Sequence, residues 1–233
     1  MKKLVILGAG GYAQEVLWVV DDINERFPEF EFKGFVDPKA PQRKGQQLYG
    51  RPVIGGFETA RDLPGDIYFC CGIGDPRSRM KECLAAEALG WKPVTLIHPS
   101  VIVAKFCRIG EGTVIGAGSI LAPHATVGRH CAINNHAGVG HDSVLGDYVV
   151  LSPGSRISGN AKIEDLVLIG TNAVVYVGRT MGRGSLLGAN SFLVTNLAAG
   201  RSAVGNPAKP FTSKVGGGIC THREPDQSEL PTG

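Results

Sequence analysis

The sequence lacks several features that would settle a function class at once. No apolar run approaches the length of a membrane span. The one run placed like a signal peptide, Leu4 to Leu7 after Met1, Lys2 and Lys3, breaks at Gly8, Gly10 and Gly11 and soon reaches Glu15. Charge of one sign is not in excess. With 24 basic against 21 acidic residues and a formal net charge of +3, the chain carries no electrostatic footprint for nucleic acid. The six cysteines form no CxxC pair. Cys70 and Cys71 are adjacent, and Cys83, Cys107, Cys131 and Cys220 show no disulfide-framework spacing, so small thiols in a reducing cytoplasm are expected. These absences predict a soluble, cytoplasmic protein with neither a membrane nor a nucleic-acid partner.

What is abundant is glycine. There are 33 in 233 residues, roughly twice the usual share. Gly and Pro together stay below the range of low-complexity disorder, 43% hydrophobic residues can supply a core, and no every-third glycine suggests collagen. The excess therefore needs a structural explanation.

The first hundred residues alternate strands with helices. Leu4 to Leu7 reads as a short strand, followed by glycines and a helix from Tyr12 through Asn24 that gathers Val16, Val19, Val20 and Ile23 on one side. Phe32 to Val36 and Asp66 to Cys71 read as further strands. Asp75 and Pro76 look like the cap and first position of a helix that Gly90 stops, and Val94 to Ile97 as a last strand. This alternation implies a parallel sheet covered by helices.

From Val103 the grammar changes. Every sixth residue is aliphatic, from Val103, Ile109, Ile115 and Leu121 through Met181, Leu187 and Leu193, sixteen positions without a slip. The next position is glycine in eight of the sixteen repeats, and the fourth is Cys, Thr, Ser or Ala in twelve. This is the hexapeptide repeat of a β-helix, in which three repeats make one triangular coil. Residues eighteen apart then lie over each other in adjacent coils, about 4.8 Å away. The glycines are expected at corners that need backbone conformations other residues resist. The rung Val175 to Thr180 departs most, with Tyr176 and Arg179 where small residues are usual; local distortion of the coil is expected there ahead of the alternative that the two line a ligand edge. His124, His130 and His136 share one phase of three successive repeats, so they cannot converge within one chain; each is expected to cap a turn or face solvent. His98 reads as a linker residue.

Three motifs in order, LVILGAGGYAQEV near the N-terminus, VGHDSVLGDYVVLSPGSRISGN in the middle and VGNPAK near residue 205, carry a family resemblance. Together they resemble the bacterial nucleotide-sugar N-acetyltransferases and the related sialic acid O-acetyltransferases, over residues 1 to about 211. The fold so implied is a Rossmann-like nucleotide-sugar-binding domain (1–98), a left-handed parallel β-helix that binds acetyl-CoA (99–211), and a loose tail (212–233).

Gly8, Gly10 and Ala13 spell G-x-G-x-x-A between a strand and a helix, which lets a phosphate meet the helix N-terminus. Only one mononucleotide-binding half fits before the β-helix, which favours a nucleotide-sugar over a dinucleotide. By the resemblance, Gly10, Gly11, Asp37, Gly74 and Arg79 lie near that ligand, with UDP the expected nucleotide. Pro38 stands where relatives often carry a second acid.

Acetyl transfer to an amine needs a base, and the resemblance gives that role to His141, oriented by Asp142. Gly159 is eighteen residues on, so its backbone N–H falls one coil from His141, placed to bond a thioester carbonyl. Val150 stands where some relatives have a second histidine. The resemblance also implies acetyl-CoA contacts at Gly159, Thr171 and Ala189, with Pro207 and Lys209 in GNPAK near the adenine end, and a homotrimer with active sites between subunits. A zinc reading on His136 and His141 lacks a third ligand at the required spacing, so no metal is expected. O-acetylation of a sialic-acid-type sugar and a non-catalytic nucleotide-sugar-binding scaffold are the alternatives.

Overall fold

The computed structural model describes residues 1–37 and 44–211. Pro38 and the expected loose tail, 212–233, lie outside the described residues. The first unit is a sheet in the order β3-β4-β2-β1-β5-β6. Its strands are β1 (Lys2–Leu7), β2 (Phe30–Val36), β3 (Gln47–Leu48), β4 (Arg51–Gly55), β5 (Ile67–Cys71) and β6 (Lys92–Pro93). All adjacent pairs run parallel except the β3/β4 hairpin. Helix α1 (Gly11–Arg26) links β1 to β2, α2 (Phe57–Ala60) follows β4, and α3 (Pro76–Ala88) follows β5. Asp75 caps α3, its Oδ1 accepting from the Ser78 N–H at 2.7 Å, with Pro76 at the first helical position as expected. Because β2 and β5 flank β1 on opposite sides, the chain reverses its direction of travel across the sheet there. The carboxyl ends of β1 and β5 thus open a crevice of the kind that takes ligands in such sheets.

Of the expected last strand, Val94 to Ile97, only Leu96–Ile97 is a strand. Lys92–Pro93 closes the first sheet beside β5, while Leu96–Ile97 pairs with Val114–Ile115 as the first rung of the β-helix. The β-helix therefore starts ahead of the expected boundary at residue 99. From there two-residue strands recur every six residues to Phe192–Leu193, and as far as Val174–Val175 each is paired in parallel with the strand eighteen residues on. Three faces result, which we number in chain order. Ile115, Ile133, Leu151, Ile169 and Leu187 point inward from the first, Leu121, Val139, Ile157, Val175 and Leu193 from the second, and Val127, Leu145, Ile163 and Met181 from the third. All of these are buried; Val103 and Ile109, in the first coil, are not. Burying each such side chain contributes roughly 1.5–3 kcal/mol, which is why the period holds so strictly.

Two expectations need correction. The rung Val175 to Thr180 is regular, with Val174 paired to Phe192 and Thr180 to Lys162. Gly178 absorbs the left-handed corner there at φ +69°, so the larger side chains are accommodated outside the coil. The commonest repeat glycines, directly after the aliphatic residue, are not left-handed either. They allow close approach: a Cβ on Gly128 would lie 2.4 Å from the Gly146 carbonyl oxygen in the next coil. The left-handed position comes two residues later and recurs every six residues from Phe106 to Asn190, and it is filled more often by His, Asn, Asp and even Tyr or Leu than by Gly. His124, His130 and His136 share their phase because His, Asn and Asp tolerate that conformation better than most side chains.

The N-terminal unit sits on the first face. Leu96 and Val114 point out of the β-helix into the same core as Leu17 and Val20 of α1. On one flanking corner, Tyr148 and Leu166 pack with Phe69 of β5 and Cys83 of α3. On the other, Asn135 Nδ2 donates to Glu15 Oε2 at 3.1 Å. The corner between the second and third faces lies opposite.

Candidate active site

His141 lies on that opposite corner, between strands Gly138–Val139 and Val144–Leu145. Asp142 takes the left-handed position at φ +57°, which turns its carboxylate back, and Oδ2 lies 2.8 Å from His141 Nδ1. A proton held on Nδ1 leaves Nε2 as the free base. Both side chains are more than half exposed, as a group that must reach a ligand requires. One coil on, a Cβ built on Gly159 would stand 2.4 Å from His141 Nε2 and 2.5 Å from Cε1. The imidazole thus occupies the space that any other residue at 159 would fill. The Gly159 N–H donates to no acceptor among the described residues, although the Ser158 N–H bonds the Val175 carbonyl and the Asn160 N–H the His141 carbonyl. A base nitrogen and an unbonded amide donor therefore converge within one coil spacing. Gly159→Ala should displace the ring and lower kcat at least 100-fold, the scale of losing one well-placed group, with little change in melting temperature. Steady-state kinetics beside calorimetry check this.

The glycine loop assembles at the crevice of the first sheet. Gly8 itself is buried: its φ is +91°, its N–H bonds the Val36 carbonyl at 2.7 Å, and a Cβ there would strike Ile73. It shapes the turn beneath the surface. Gly10, Gly11 and Gly74 are exposed, with open space where a side chain would stand. Gly10 caps α1 without a side-chain bond, and no acid occupies the first turn, so the positive end of the helix faces the crevice unopposed. Asp37, half-buried, follows β2 at the same edge, its N–H held by the Gly55 carbonyl.

Arg79 departs from its expected role. It is fully buried. Its guanidinium donates to the carbonyls of Ile73 (3.1 Å), Cys71 (3.0 Å) and His130 (3.4 Å) and lies over the Tyr12 ring. With its donors taken by backbone on both structural units, it serves as a clamp rather than as a contact for a sugar nucleotide. His130 is likewise no solvent-facing cap. It is fully buried between the rings of Phe69 and Tyr148, with Nε2 3.0 Å from Glu87 Oε1. Burial holds its pKa below the ordinary value, against the pull of Glu87. His98 does join the units, Nε2 lying 2.7 Å from Asp22 Oδ2 and the ring edge-on to Trp18 of α1. His124 and His136 are exposed, His124 stacked on Phe106. The sequence carried no signal for Glu15 and Asn135, which meet at the junction; burial raises the pKa of Glu15.

Thr171 and Ala189 stack one coil apart at the corner between the first and second faces, where the Asn190 N–H bonds the Thr171 carbonyl. The closing hairpin, Ser202–Gly205 with Ala208–Phe211, reaches the same corner, since the Gly205 N–H donates to Ser191 Oγ at 3.0 Å. Pro207 and Lys209 are exposed on that hairpin. Gly159 is one corner away, across the second face. Val150 is buried on the first face, half a coil from His141. His136 and His141 occupy different corners, and no group of three or more metal-ligating side chains occurs among the described residues. Nor is any helix among them long and apolar enough to cross a membrane.

A nucleotide-type crevice joined to a β-helix with a His-Asp pair on one corner has counterparts among known proteins. Residues 3–83 match the PglD N-terminal domain family. Over 210 residues, 88% of this chain and 94% of the relative, the sequence is 30% identical to GDP-perosamine N-acetyltransferase of Escherichia coli O157:H7. It is 34% identical over 119 residues to UDP-N-acetylbacillosamine N-acetyltransferase of Bacillus subtilis, a match that spans 49% of this chain and 51% of that enzyme. A crystal structure of a histidine variant of perosamine N-acetyltransferase from Caulobacter crescentus, in complex with CoA and GDP-perosamine, superposes with a TM-score of 0.81 at 29% identity, covering 91% of this chain and 98% of that one. The chain belongs to the nucleotide-sugar N-acetyltransferases.

Proposed function

We propose that this protein transfers an acetyl group from acetyl-CoA to the amine of a nucleotide-linked amino sugar, with His141 as general base. The observation that carries this reading is the convergence of His141 Nε2, oriented through Nδ1 by Asp142, with the unbonded Gly159 N–H. The amine nitrogen attacks the thioester carbonyl carbon, forming the C–N bond while its proton passes to Nε2. The carbonyl oxygen, now an oxyanion, accepts from the Gly159 N–H. Its collapse breaks the C–S bond, and the leaving thiolate takes the proton from His141, giving the N-acetyl sugar and free CoA. Release of CoA thiol on mixing acetyl-CoA with the amino sugar tests the reaction directly.

The sugar nucleotide fits the crevice of Gly10, Gly11, Gly74 and Asp37, its phosphates at the N-terminus of α1. Because that unit covers the first face and His141 stands on the opposite corner, acceptor and base are best joined from two copies of the chain. A homotrimer with shared sites satisfies this. The same sharing would bring Thr171, Ala189, Pro207 and Lys209 of one copy beside Gly159 of another along one acetyl-CoA. The related enzymes act on UDP- and GDP-linked sugars; the UDP-linked class is tested first. In a melting panel of UDP-, GDP-, dTDP- and CMP-sugars, the cognate nucleotide at 100 times its Kd should add about 2.7 kcal/mol of stability, a rise of several degrees. No rise with any of the four removes the crevice assignment.

A further inference from the structure

We propose that Val177 is a positioning residue that keeps the Gly159 N–H open to the thioester carbonyl, an inference that rests on the acetyltransferase reading above. In this β-helix the N–H of the residue two places after an inward aliphatic can meet the side chain eighteen positions later. Wherever the residue eighteen positions later is Asn or Asp, its side chain takes that N–H. Asn135 Oδ1 accepts from the Ala117 N–H at 2.9 Å, Asp147 Oδ1 from Arg129 at 2.7 Å, and Asp165 Oδ1 from Asp147 at 2.9 Å. No other Asn or Asp occupies this phase of the repeat, so the rule has no exception in the chain. The residue above Gly159 in the same register is Val177, held there by the pairing of Ile157 with Val175 and by the Gly178 N–H bonding the Gly159 carbonyl at 3.0 Å. Valine has no acceptor. Its own carbonyl is occupied by Arg179 Nε at 3.3 Å, and its side chain, with the neighbouring Tyr176, presents an exposed apolar wall beside the amide. The donor is therefore left unbonded, where a carboxylate would have both capped it and repelled an oxyanion.

The rung with the atypical side chains thus acquires a function. Val177→Asn should complete the internal cap seen at Asn135, without loss of melting temperature. Hydrogen exchange at the Gly159 amide should slow at least tenfold. With acetyl-CoA and the nucleotide amino sugar found in the melting panel, kcat should fall about 100-fold, the effect of losing one oxyanion donor, while the KM for acetyl-CoA moves less than threefold. Val177→Ala, which also lacks an acceptor, should turn over at least ten times faster than Val177→Asn. The proposal is overturned if the Gly159 amide stays unprotected in Val177→Asn, if it becomes protected while kcat is unchanged, or if Val177→Ala is as slow as Val177→Asn. Failure of the unaltered protein to release CoA with any of the sugars is a different result. It removes the functional reading and this proposal with it, whatever the exchange rates show.

Discussion

Replacing His141 by alanine is expected to lower kcat by 10²–10⁴-fold, the usual worth of a positioned general base. The variant should still bind acetyl-CoA and sugar nucleotide with near-normal Kd, because neither the crevice glycines nor the hairpin at Lys209 touches this corner. It should also fold normally. His141 and Asp142 are exposed by 58% and 52% of their side-chain areas, and an ion pair so open to solvent contributes little to stability. Isothermal titration for binding and stopped-time assays for turnover separate the two quantities. Wild-type turnover in His141→Ala would remove His141 as the general base. Asp142→Asn should fall between, since the asparagine can hold the ring but stabilises imidazolium less.

Arg79→Met is expected to cost about 3 kcal/mol and lower the melting temperature by about 6–12 °C. The change leaves the carbonyls of Ile73, Cys71 and His130 unpaired in a place with no water access, and two of these belong to the first sheet and its loop while the third belongs to the β-helix. Arg79→Lys should recover only part of the loss, because one ammonium cannot span the fork of a guanidinium. Differential scanning calorimetry with and without sugar nucleotide distinguishes the clamp from a ligand contact. Normal melting combined with loss of the nucleotide-induced shift would return Arg79 to the crevice.

What could be read in the sequence was what repeats or follows local rules. The aliphatic phase was legible because each coil must fill one narrow prism, and the cap at Asp75 because its signal is four residues long. The pairing of His141 with Gly159 followed from the coil length alone. The segment from Gln47 to Ala60 was not legible, since a hairpin and a one-turn helix are too short to show a period. Val94 to Ile97 read as one strand because an apolar run does not say which part of it a sheet will take. Arg79 beside a glycine loop resembles a phosphate ligand in one dimension, and only the packing of α3 turns it inward. His130 shares its phase with the exposed His124 and His136; what differs is that the first sheet and α3 cover its corner, a fact that no hexapeptide contains.

A coil that closes every eighteen residues also sets how this enzyme can change length. Insertion or loss of one residue between His141 and Gly159 would carry the glycine a step around the perimeter and put a side chain against the imidazole. Removal or duplication of a full eighteen restores every vertical neighbour beyond the edit. Changes of length in the β-helix should therefore proceed by whole storeys above Thr180 or give way to substitutions on the outside, while the three coils from Pro123 to Gly178 keep a fixed count. The fold works as a ruler, and His141 and Gly159 stand at two of its marks.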